Sequence, residues 1–104
     1  MMNISSNGNS RNKSESAIGL ALKLSKDWAI LYDHNQWIVS KARKRGAGRD
    51  WKPVSYIGSN KTTLRLVLLK IGVIADPHAQ SALDVWPERF LDWYARQNAP
   101  RRAA

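Results

Sequence analysis

From Ile18 the apolar residues fall at every second position, Ile18, Leu20, Leu22 and Leu24. That is the period of a half-buried strand. Gly19, Ala21 and the leucine content also suit a helix, so residues 17–24 stay open between the two on local grounds. After the polar break Ser25-Lys26-Asp27, a second alternating run covers Trp28, Ile30 and Tyr32. The cluster Asp33-His34-Asn35-Gln36 predicts a turn, and Trp37-Ile38-Val39 resumes a β-branched, aromatic run toward Lys41. A basic stretch with Gly46 and Gly48 follows, and the chain returns as a strand over Trp51 to Ile57, where Pro53 argues for an edge position.

The period then changes. Leu64, Val67, Leu68 and Ile71 stand at helical spacing, Ser59 or Asn60 can cap the start, and Gly72 sits where a left-handed cap is wanted. Leu66 and Leu69 widen the apolar surface and predict a largely enclosed, central helix. Asp76-Pro77 opens a short second helix, and Pro87 repeats the device with Glu88 in the first turn of a third. Strands first and helices second define an α+β fold. The expected architecture is a small antiparallel sheet of three or four strands within 17–57, followed by two or three helices near 60–71, 77–84 and 87–97, packed on one face.

Residues 1–16 are polar apart from Met1, Met2 and Ile4, too few to offset the ordering entropy of the backbone, which predicts a disordered tail. Residues 17–98 form the expected globular domain, and 99–104 a basic C-terminal tail. The chain of 104 residues suffices for one domain with a real core. It contains no Cys, which excludes disulfides, thiolate metal sites and thiol catalysis. No apolar run reaches the ~18 residues of a membrane span, and the polar N-terminus does not read as a signal peptide, so a cytoplasmic location without membrane contact is expected.

Charge is unevenly placed. The formal net charge is +9, and residues 1–70 carry all of that excess, with 13 basic and 4 acidic side chains. The stretch 41–52 concentrates it: Lys41, Arg43, Lys44, Arg45, Arg49 and Lys52 against Asp50 alone. Cations that neutralise phosphates release condensed counterions, so this segment, taken as an inter-strand loop, is the candidate nucleic-acid contact. Guanidinium groups can bond a phosphate or a guanine edge bidentately, whereas lysines act as point charges. Trp37 and Trp51 flank the loop and could stack on an unpaired base, although rings in alternating strands also serve as core.

Catalytic chemistry finds little support. His34 and His78 have no second ligand at metal spacing, and His34 lies in a turn that Asx chemistry explains. Asp84, Glu88 and Asp92 are four apart, but Pro87 interrupts the helix face they would share. Gly46-x-Gly48 lacks the strand-to-helix context of a nucleotide fingerprint. The pair of helices around Gly72 has the outline of a helix-turn-helix, yet the second offers Asp76 and Asp84 and no Arg or Lys for phosphates.

The expectation is therefore a noncatalytic nucleic-acid-binding module, with DNA ahead of RNA, no cofactor, no metal and an open oligomeric state. The alternative is a protein-interaction module or inhibitor. Small phage anti-defence (anti-CRISPR-like) proteins are comparable in size and in lacking catalytic residues, and an inhibitor of that type would occupy the nucleic-acid-binding surface, or else an acidic surface, of a host complex. In that case Trp86, Phe90, Trp93 and Tyr94 are the expected interface, provided that they are exposed.

Overall fold

The computed structural model describes residues 18–46 and 48–98; the expected tails at 1–16 and 99–104 lie outside the described residues. Four strands, β1 (Gly19–Lys23), β2 (Trp28–Tyr32), β3 (Trp37–Arg45) and β4 (Gly48–Ile57), precede three helices, α1 (Lys61–Ile71), α2 (Pro77–Asp84) and α3 (Phe90–Asn98). The strands form one antiparallel meander in the order β1-β2-β3-β4. The fold is α+β, as the change of period predicts.

The β2–β3 turn follows the expected chemistry. Asp33 Oδ1 accepts from the backbone amides of Asn35 and Gln36 at 2.8 and 3.1 Å, and Asp33 Oδ2 accepts from Gln36 Nε2. A carboxylate that satisfies two loop amides needs no catalytic role to explain it. The opening segment is strand β1, but its stripe is not continuous. Pairing steps from Leu20↔Leu31 to Leu22↔Ile30, so Ala21 is an extra residue. A bulge of this kind reverses the facing of all that precedes it. Leu22 and Leu24 turn toward the helices, while Ile18 and Leu20 face the other way and are exposed.

One face of the sheet is buried by the helices. Leu24, Ile30, Trp37, Val39 and Ile57 from the strands meet Leu64, Leu68, Ala79, Leu83, Phe90 and Trp93. Trp37 lies in an aromatic cluster, stacked on Trp86 at 5.6 Å and edge-on to Phe90 at 5.2 Å. Such contacts add to burial itself, about 0.5–1.5 kcal/mol for a well-placed pair.

Helix α1 has its predicted caps: Asn60 Oδ1 accepts from the Thr63 amide at 2.8 Å, and Gly72 closes the helix at φ 86°. It is not enclosed. Leu64 and Leu68 are buried, whereas Leu66 and Leu69 point to solvent, because the sheet and the other helices cover only one side of it. Pro87 is likewise not the first residue of α3, which begins at Phe90. Residues 87–89 turn back toward α1 instead. Lys61 N donates to Glu88 O at 2.6 Å, Phe90 N donates to Ser59 O at 3.0 Å, and Asn60 bridges Arg89. Glu88, expected in the first turn of α3, instead accepts from Thr62 at the start of α1.

Candidate nucleic-acid interface

The basic segment is not a loop. β3 pairs with β2 only as far as Lys41↔Trp28, with Ala42 N donating to Asp27 O just beyond. β3 and β4 then continue as a two-stranded ribbon to Arg45↔Gly48. Two residues close it, and Gly46 holds φ 58°, the left-handed region that hairpin turns of this length demand. The cations therefore stand on paired strands, and register fixes which of them share a face.

Lys41 pairs with Lys52 and Arg43 with Asp50; these lie on the helix side of the sheet, beyond the helices. Ala42 pairs with Trp51 and Lys44 with Arg49 on the opposite side. Arg43 donates to both oxygens of Asp50, at 3.1 and 3.2 Å, and this pairing raises the arginine's already high pKa. Arg49 Nη2 donates to Asp27 Oδ1 at 3.3 Å and to Lys26 O at 3.4 Å. Lys41 Nζ lies 5.7 Å from the centroid of the Trp28 ring, within cation–π range. Lys44 and Lys52 are exposed and have no ion-pair partner among the described residues. The Arg45 side chain lies outside the described set.

Two further cations belong to this end. In a meander, alternate turns lie at the same end of the sheet, so the β1–β2 turn joins the ribbon and brings Lys23 and Lys26 with it. Lys23, Lys26, Ala42, Arg49, Asp50 and Trp51 line a shallow pocket of about 120 Å³. Eight cationic residues (23, 26, 41, 43, 44, 45, 49 and 52) thus gather at one end against Asp27 and Asp50, a net of +6. The charge pattern along the chain does not single out Lys23, Lys26 and Asp27, although the topology rule alone places them there.

The two tryptophans part company. Trp51 is half-buried and borders the pocket. Trp37 has no accessible surface, because its position shares parity with Val39 and faces the helices, so it cannot stack on a base in this fold. The four aromatics expected as a protein interface are also packed inward. Phe90 and Trp93 are buried, and Trp86 and Tyr94 are half-buried against them. They are the wall of the core, not an exposed patch.

The remaining chemistry disperses. Asp84 pairs with Arg65, Asp92 lies 4.0 Å from Arg89, and Glu88 accepts from Thr62. Among the described residues, no cluster of three His, Asp or Glu is placed to hold a metal ion, and no helix is long and apolar enough to cross a membrane. Comparison with known proteins returns no matching family model, no matching curated protein and no matching solved structure.

Proposed function

We propose that the protein is a noncatalytic nucleic-acid-binding module that holds phosphate backbones at the ribbon end of its sheet. One observation carries the reading: a net of +6 is concentrated at the end of the sheet where the β1–β2 turn meets the β3–β4 ribbon, and Asp27 and Asp50 are the acidic residues that offset it there. Mutual repulsion among these cations is a standing cost that a polyanion relieves. Lys44, with Lys23 and Lys26 at the same face, supplies the phosphate contacts most readily, since Arg43 and Arg49 are already engaged by carboxylates.

The test is a salt titration of oligonucleotide binding. Affinity falls steeply with salt, and converting Lys23, Lys26 and Lys44 together to Gln flattens the log–log slope by roughly 0.7–0.9 for each phosphate that is no longer neutralised. Binding that ignores salt, or a triple variant with an unchanged slope, rejects the assignment.

A second reading, a protein-interaction module, draws support from a surface other than the aromatic one. Leu69, Ile74 and Val85 are 75%, 81% and 75% exposed on the helical side. Large apolar side chains this open are a feature of partner surfaces. Sedimentation of the protein and of an L69D/I74D variant separates the readings: a shift in mass distribution between them favours self-association through the helices.

A further inference from the structure

The helices pack on one face of the sheet, and the composition of the opposite face changes along its length. Register places Leu20, Leu31, Ile38 and Tyr56 side by side across all four strands on that face. The middle of the face is closed to solvent at Ala29, Ile38 and Ser40, while its margins open at Leu20, Val54 and Tyr56. Toward the ribbon the same face carries Trp51, Lys44 and Arg49, with Lys23 and Lys26 at the pocket beside Trp51. Apolar and aromatic surface thus passes directly into cationic surface.

Tyr56 is the least expected residue here. It is 57% exposed on an edge strand, across from the buried Ile38, so much of the side chain is offered to solvent. Val54 is the extra residue of a bulge in β4, because pairing jumps from Val39↔Ser55 to Ser40↔Pro53. The bulge retains Tyr56 and Trp51 on one face although they are an odd number of residues apart.

A sheet face bearing aromatic rings next to cations suits a strand with unpaired bases. Each base has a π-face that can lie on a ring, and the adjacent phosphates meet the lysines. In a duplex the bases are stacked on one another and no such face is available. We infer that the ligand is single-stranded nucleic acid, laid along β4 at the open margin of this face with bases on Trp51 and Tyr56 and its backbone on Lys23, Lys26 and Lys44. This rests on the polyanion-binding reading above and specifies the ligand of that same site. Asp27 accepts from Arg49, which lines the pocket beside Trp51.

The experiment compares fluorescein-labelled dT15, rU15 and a 15-base-pair duplex by anisotropy, using the full chain and the variants Y56A, Y56F, W51A and W51F. Tyr56 is exposed, so its truncation leaves the fold intact; unfolding curves confirm this for each variant. Single strands bind more tightly than the duplex, Y56A weakens them about 5- to 100-fold, Y56F stays near the parent, and duplex binding is unmoved by either. A preference of rU15 over dT15, or the reverse, identifies which nucleic acid is the source. Equal or better duplex binding, or Y56A indistinguishable from the parent on single strands, overturns the inference while salt-dependent binding preserves the broader reading. If none of the three oligonucleotides binds, both fall.

Discussion

Gly19 lies directly across from Tyr32 in the β1–β2 pairing, and a Cβ at Gly19 would fall 2.5 Å from Cε1 of that ring. The ring cannot simply swing away, since it packs edge-on against Trp93 at 4.9 Å and near Tyr94 at 6.2 Å. Gly19→Ala therefore destabilises the domain by about 1–2 kcal/mol, the scale of overpacking. Urea unfolding measures it; a variant as stable as the parent would show that the Tyr32 ring is not held by the core.

Glu88 joins the helix layer to itself. Its Oε2 accepts from the Thr62 amide at 2.9 Å and from Thr62 Oγ1 at 2.6 Å, and these bonds hold its pKa below the ordinary 4.5. Because the folded-state pKa is depressed, the contribution is complete above the unfolded value and is lost as pH falls through the folded one. Glu88→Gln is expected to be less stable than the parent at neutral pH and to converge with it at the acid end. Thermal unfolding followed from neutral pH down through the carboxylate range tests this, and parallel curves would reject the linkage.

How much of this is legible in the sequence depends on whether an element has one covered face. Helix α1 is readable because Leu64 and Leu68 point to a core and Gly72 stops it. The 41–52 segment reads as a loop because neither face of the ribbon is covered there, so no apolar period marks the strands. The alternation in β1 misleads about which leucines face the core, because a bulge leaves no signature beyond a small residue, Ala21. Pro87 resembles a helix start, but the chain needs Glu88 and Arg89 to close against Asn60 and Thr62 before α3 can begin. The sheet face away from the helices does carry a signal. Leu31 and Ile38 are apolar at positions opposite in parity to Ile30 and Val39, and a strand apolar on both sides has two faces to account for.

Trp37 carries a donor at cost. Its Nε1–H is buried without an acceptor among the described residues. Such a group forfeits about 1–3 kcal/mol of solvation. Trp37→Phe removes ring volume but also that orphan, so its destabilisation stays well below the ~3–5 kcal/mol expected of Trp37→Ala. Denaturant midpoints of the two variants decide it. Because the ring is inside, neither change should alter the salt slope of oligonucleotide binding in the folded protein.

The strongest test of the ribbon adds charge rather than removing it. Arg43 and Arg49 are each engaged by one carboxylate, in pairs whose side chains are roughly half exposed. Pairs that open to water contribute little to stability, so the fold survives without them. Asp27→Asn with Asp50→Asn leaves every cation in place and raises the net charge of this end by two. If the ribbon meets phosphates, the double variant binds single strands more tightly at low salt. Its slope also steepens by up to about 0.7 for each guanidinium that gains a phosphate. An affinity unchanged or reduced would mean that the carboxylates hold the arginines in a role of their own, away from the ligand, and that Lys23, Lys26 and Lys44 act without them.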